Sequence, residues 1–233
     1  MRDADAAIRL SEYRPLDFVI DSIALSIRLD AKATSVEARS MVRRVGAPGA
    51  DLVLRGERQS VQSVQIDGVA VASERINLDR ESKTLHAPPD AFELIVHSII
   101  APEDNHALEG LYLSGGRFCT QCEAEGFRKI TYFTDRPDVM ARFTTTIEAD
   151  RAQLPVLLSN GNPMNAQILP NGRHVATWDD PFPKPCYLFA LVAGDLVGTF
   201  DRFTTQSGRD VRLGIYVRRG HEDKCAHAME SLK

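Results

Sequence analysis

The sequence predicts an all-β chain of packed antiparallel sheets, and three observations lead there. Apolar residues recur with a period of two in several separate runs, glycine- and proline-containing pairs punctuate the chain, and helical periodicity is confined to short segments. At 233 residues the chain is long enough for one large all-β domain or two small ones. In order, Ile23, Leu25, Ile27 and Leu29 alternate with Ala24, Ser26 and Arg28, the pattern of a strand with one buried face. Ala47-Pro48-Gly49, Asp67-Gly68 and Ala87-Pro88-Pro89-Asp90 mark turns, and Phe92 to Ile100 reads as a more fully buried strand. Asp135 to Arg142 offers Asp135 as an N-cap with a proline in the first turn, so one short helix is expected there.

Phe143, Thr145, Ile147 and Ala149 share the face of the next strand. A meander is expected after it: Val156 to Ser159, an Asn160-Gly161 turn, Gln167 to Leu169, an Asn171-Gly172 turn, and His174 to Trp178. Asn-Gly suits hairpins because both positions tolerate positive φ. Asp180-Pro181-Phe182-Pro183-Lys184-Pro185 is expected to be a stiff connecting loop, a ligand for a proline-reading module being the weaker reading. Tyr187 to Ala193 reads as a buried strand, and Val211, Leu213, Ile215 and Val217 alternate with Arg212, Gly214 and Tyr216. From Asp223 the pattern turns helical, with Cys225, Met229 and Leu232 on one face. This helix reaches Lys233 without a glycine cap, so its apolar partner is expected in further sequence, the alternative being a terminal helix docked on the sheet.

Composition narrows the function. Hydrophobic residues make up 43% and charged residues 26%, enough for a sizeable core. The formal net charge of -4 comes without a basic block, which argues against a nucleic-acid partner. Met1-Arg2-Asp3-Ala4-Asp5 leads into no apolar run, so a signal peptide is not expected. The longest apolar run, Tyr187 to Gly194, falls short of the ~20 residues a membrane span needs. A cytoplasmic protein without a membrane partner is expected, or one exported with a leader since removed. Cys119, Cys122, Cys186 and Cys225 are read as mostly reduced thiols.

Few residues are left to carry chemistry. Cys119-x-x-Cys122 is half of a zinc site, but completing it would need Cys186, Cys225 or scattered histidines. There is no HExxH, GxSxG, GxGxxG or Walker loop, so no metal or cofactor site is expected within these residues. His86, His97, His106 and His174 fall in or beside strands and turns, where satisfied or exposed side chains are expected. What remains is Thr120-Gln121-Cys122-Glu123-Ala124-Glu125-Gly126. In an extended segment Gln121, Glu123 and Glu125 would share one side. A carboxylate there could anchor an ammonium group through charge-assisted hydrogen bonds. By pattern alone, a solvated strand or loop is the plainer reading.

Thr120-Gln121-Cys122-Glu123-Ala124-Glu125-Gly126-Phe127-Arg128, Ile130-Thr131-Tyr132 and Asp135-Arg136-Pro137-Asp138 together resemble the bacterial aminopeptidase N branch of the zinc aminopeptidases. So do Ala107-Leu108-Glu109-Gly110-Leu111-Tyr112, Leu158-Ser159-Asn160-Gly161-Asn162 and the whole run from Asp180 to Asp195. These blocks follow one another nearly end to end. The resemblance implies a saddle-like, multi-sheet β domain packed over a thermolysin-like catalytic domain. On that reading, residues 1–220 are the N-terminal β domain and 221–233 begin the helix leading into the catalytic domain. The enzyme would remove N-terminal amino acids from peptides, with zinc in the full-length protein. Glu123 would bind the substrate's free α-amine, Gln121 would line the pocket for the first side chain, and Glu125 would hydrogen-bond within the domain and orient Glu123. The Gly-Ala-Met-Glu-Asn segment, the HExxH helix and the downstream glutamate ligand of that family are absent from this sequence, so the chain alone is expected to be inactive. The alternative is a non-catalytic β-sandwich binding or scaffold module of the same descent. A bifunctional lipid-mediator epoxide hydrolase of the superfamily fits the blocks less well.

Overall fold

The computed structural model describes residues 9–78 and 81–233; the acidic opening Met1 to Asp5, read above as no signal peptide, lies outside them. Two long strands come first, β1 (Phe18–Arg28) and β2 (Thr34–Arg44). Short strands follow: β3 (Leu52–Arg55), β4 (Ser60–Ile66), β5 (Val69–Ala70), β6 (Ile76–Leu78) and β7 (Ser82–Leu85). Next are β8 (Ala91–Ile100), the hairpin β9 (Gly110–Ser114) and β10 (Arg117–Gln121), and the long β11 (Ala141–Asp150). The chain continues through β12 (Val156–Ser159), β13 (Asn162–Ile168), β14 (Arg173–Lys184), β15 (Leu191–Gly194), β16 (Val197–Thr204) and β17 (Asp210–Val217). Helix α1 (Ala226–Leu232) comes last.

Among the described residues the strands form an eight-stranded sheet in the order β13-β14-β11-β1-β2-β8-β4-β5, a four-stranded sheet β12-β15-β10-β9, a three-stranded sheet β3-β7-β6, and the hairpin β16-β17. The all-β expectation holds. Pairing is antiparallel except between β1 and β11, which run parallel. A parallel pair needs a long crossover, and here the chain between Arg28 and Ala141 supplies it by building most of the other strands. In β1 the buried series passes from Ile20 to Ile23 across a register shift at Ser22, so a bulge keeps both isoleucines on the core face.

Four local expectations are corrected. Residues 135–140 form no helix. The Asp135 carboxylate is buried and taken by Arg128 and Cys186, leaving it unable to cap, and Val139 and Ala141 are buried with the period of the incoming strand. Asp180 to Lys184 is not a loop, because β14 runs through to Lys184. Its prolines are tolerated there: pairing with β13 ends at Asp179, and the ladder with β11 shifts register between Asp180 and Lys184. Tyr187 to Ala193 is a strand only from Leu191, since Cys186–Leu188 form a 3-10 turn. Asn160-Gly161 closes no hairpin; it is a corner between two sheets, β12 pairing with β15 and β13 with β14. Asn160 fixes that corner by donating to the Leu188 carbonyl and accepting from the Ala190 amide. A side chain at Gly161 would collide with the Asp179 carbonyl.

The core is continuous from the inner face of the large sheet to the smaller ones. Its centre is aromatic. Phe127 is fully buried and packs edge-on against Phe133, Phe143 and Phe189 at centroid distances of 5.2, 5.9 and 5.3 Å. No helix among the described residues is long and apolar enough to cross a membrane.

Candidate functional site

The segment singled out by sequence lies where β10 leaves its sheet. Phe118 and Cys119 still pair with β15, but at Thr120 a side chain replaces the ladder: its Oγ1 accepts from the Leu191 amide at 2.8 Å. After Gln121 the chain turns through residues 123–126, so Glu123 and Glu125 do not alternate along an extended strand as the spacing suggested. The Glu123–Ala124 peptide is cis. The turn is closed by the Gly126 amide donating to the Cys122 carbonyl at 2.8 Å. A Cβ at Gly126 would lie 2.4 Å from the Gln121 carbonyl oxygen and 2.9 Å from the Gly110 nitrogen, so this close crossing of two backbones requires glycine.

Both ends of the turn are held in the core while its tip is in solvent. Cys122 is buried before it and Phe127 after it, whereas Gln121, Glu123, Ala124 and Glu125 are exposed. The Gln121 side-chain amide donates to the Glu123 carbonyl oxygen at 3.3 Å. The two acids differ in their partners. Glu125 pairs with Arg128 at 3.1 Å, whereas the Glu123 carboxylate has no hydrogen bond or ion pair among the described residues.

Beneath the turn lies a polar cluster that sequence reasoning missed. The Asp135 side chain, 1% exposed, accepts on Oδ2 from the Arg128 backbone amide at 3.1 Å and from Arg128 Nε at 2.9 Å. Its Oδ1 accepts from the Cys186 thiol at 3.1 Å. Burial opposes the Arg128 charge, but Asp135, with Glu125 and Glu57, outweighs it and holds the guanidinium pKa above its usual value. Burial pushes the Cys122 thiol up to about 12, with the Asp135 charge adding to the effect, and raises Cys186 for the same two reasons. Sequence pattern makes Asp135 a helix cap, and the signal for its real role is slight: Arg128 and Asp135 flank the apolar run Ile130 to Phe133. On the far side of this cluster a polar cleft of about 690 Å³ is lined by Glu125, Arg128, Asp135, Arg55, Arg136 and Glu81, among others, but not by Gln121 or Glu123.

The remaining candidates are accounted for locally. The four cysteines are free thiols. His86 meets Asp51 at 2.9 Å, His97 meets Ser35 at 2.9 Å, and His174 meets the Leu154 carbonyl at 2.8 Å. No group of three or more His, Cys, Asp or Glu side chains among the described residues could hold a metal ion. The Cys122, Asp135 and Cys186 cluster does not fit zinc, because both carboxylate oxygens are occupied and the Cys186 thiol is donating its proton.

Comparison with known proteins gives a consistent result. Residues 24–188 match the family described as the Peptidase M1 N-terminal domain. The chain is 51% identical to aminopeptidase N of Caulobacter vibrioides over 99% of its own length and 27% of that protein's. It is 50% identical to aminopeptidase N of Escherichia coli K12, covering 95% of this chain and 25% of the relative. Among solved structures, Legionella pneumophila aminopeptidase A in complex with aspartic acid superposes with a TM-score of 0.91 at 36% identity, over 97% of this chain and 27% of that one. An M1 zinc metallopeptidase variant from Deinococcus radiodurans, bound to a Tyr-Ser-Ala substrate, superposes with a TM-score of 0.74 at 18% identity, a likeness of fold, over 88% of this chain and 48% of that one. The chain thus spans about a quarter of the length of the curated relatives it matches.

Proposed function

The chain belongs to the peptidase M1 N-terminal domain family, and from that premise we propose that it is the amine-recognising β domain of a zinc-dependent aminopeptidase. Residues 1–220 constitute this domain, and 221–233 begin the helix that leads into the catalytic part. The substrates are peptides presented by their free N-terminus. The zinc, its ligands and the general base belong to the rest of the enzyme, and the chain alone is inactive. No catalytic step is therefore assigned to its residues.

The observation that carries this reading is the contrast between two neighbouring acids. Glu125 is ion-paired with Arg128, whereas Glu123 stands at the tip of a turn anchored at both ends, exposed and unpartnered among the described residues. A carboxylate so placed has its hydrogen-bonding capacity free for an incoming cation. An ammonium group docked there forms charge-assisted hydrogen bonds and sets the distance from the N-terminus to the first peptide bond. An internal peptide bond brings no ammonium, which accounts for exopeptidase selectivity. Gln121, two residues before Glu123 at the end of β10 and tied to its carbonyl, lines the pocket for the first side chain.

The test is Glu123→Ala in the longer enzyme. A hydrogen bond to a charged group contributes about 1.5–3 kcal/mol, so kcat/KM for an aminoacyl-arylamide should fall on the order of 10- to 100-fold. Turnover equal to that of the parent enzyme contradicts the assignment.

A further inference from the structure

We propose that Arg128 is a positioning residue for the amine anchor: held from below by the buried Asp135, it reaches up to Glu125 and fixes the turn that presents Glu123. This inference rests on the reading of Glu123 as the anchor and adds to it the device that sets its place.

The argument is geometric. The tip of the turn, Glu123 to Glu125, is exposed and has few packing contacts to define it. Its two ends are fixed by backbone bonds and by the burial of Cys122 and Phe127, and the tip itself is held by the Gln121 side-chain amide on the Glu123 carbonyl at 3.3 Å, which leaves the Glu125 end to be fixed. Arg128 closes that gap. Its backbone amide and Nε both donate to Asp135 Oδ2, and Nη2 donates to the Asp135 carbonyl oxygen at 3.3 Å. The guanidinium is therefore held in one orientation, and its remaining nitrogen, Nη1, meets Glu125 Oε2 at 3.1 Å, with Glu57 Oε1 farther off at 3.9 Å. Asp135 is fixed in turn by the Cys186 thiol on its other oxygen. The result is a chain of directional contacts from the core to the residue two positions from Glu123: Cys186, Asp135, Arg128, Glu125.

The planar fork of arginine is what allows one side chain to serve two carboxylates at once, and lysine lacks it. A purely structural ion pair would need only the Asp135 contact. The two roles separate on that point, since the Glu125 contact is exposed and contributes little to stability.

The experiment uses the longer peptidase carrying this domain and measures amine discrimination. That quantity is the ratio of inhibition constants for a substrate-like inhibitor lacking the α-amine and its counterpart bearing it. Urea unfolding is followed in parallel. Glu123→Ala should bring the ratio close to unity. Glu125→Gln and Arg128→Lys should each lower it about tenfold, as expected when a binding group is displaced by a fraction of an ångström, with Glu125→Gln leaving the unfolding midpoint in place. Wild-type discrimination in Glu125→Gln, with Glu123→Ala collapsed, overturns the positioning role and leaves the anchor intact. Full rescue of discrimination by Arg128→Lys also overturns it. An undiminished ratio in Glu123→Ala refutes the anchor itself, a separate outcome. Should Arg128→Lys fail to fold, Glu125→Gln alone decides.

Discussion

Glu123, Glu125 and Cys122 lie within four residues of one another, and their partners and burial set them apart. Glu123 and Glu125 are identical in chemistry and both exposed, yet among the described residues Glu125 is ion-paired, with Arg128, and Glu123 is not. Cys122 is the opposite case. Its thiol is buried and inert, pushed up to about 12 from an ordinary value of 9.0 by desolvation and then by Asp135. The unfolded chain releases that proton first, so the contribution is fully present below about pH 9 and is lost as pH rises toward 12. Urea unfolding from pH 8 upward should show stability falling by about 1.4 kcal/mol per unit above pH 9 beyond the loss seen in Cys122→Ala. Equal slopes for the two proteins would show that the thiol is not held protonated by the fold.

At the scale of elements, the C-terminal end of the turn is held by the phenylalanine just beyond it. Phe127 enters the aromatic cluster at the point where the chain must reverse, and its burial draws the turn down onto the sheet. Phe127→Ala should cost about 3–5 kcal/mol, measured by urea denaturation of the isolated chain. A loss below 1 kcal/mol would mean the cluster re-forms without it. The strands β1, β11 and β17 were legible from the period of two, β8 from its apolar run and the hairpin turn at Asn171-Gly172 from its residue pair, and all stand where they were expected. Less legible were features set by long-range contacts. The parallel pairing of β1 with β11 has no local signature. A proline run looks like a loop unless the neighbouring strand is known to have ended, and Asp135 looks like a helix cap unless Arg128 is known to bind its carboxylate. For the site, the family motif supplied the residues. The sequence did not show that one of the two acids is paired and the other free.

The whole molecule is unevenly consolidated. The large sheet pairs long strands whose inner faces are buried, whereas among the described residues β16 and β17 pair only with each other and contain no fully buried residue. A two-stranded hairpin is marginal by itself. Within the chain, a groove of about 460 Å³ separates its Arg212 and Tyr216 from Trp178 and the β12–β14 region, and the short helix α1 packs against β17. Amide hydrogen exchange of the isolated chain should therefore find β16–β17 exchanging at least about 100-fold faster than β1, β2 and β8, a difference of ~3 kcal/mol in local opening. Uniform protection would show that the hairpin is consolidated without any further partner. On the proposed reading this domain supplies recognition while the rest of an enzyme supplies the chemistry.

The most direct test of that division is the pair of Glu123→Gln and the parent enzyme, each offered a matched inhibitor with and without its α-amine. Glutamine keeps the size and the turn but removes the charge. The account predicts that the variant loses its preference for the amine by at least about tenfold, while its affinity for the des-amino compound stays within about twofold of the parent's. Equal preference in the two proteins, or a loss shared by both inhibitors, would contradict the claim that Glu123 recognises the free amine.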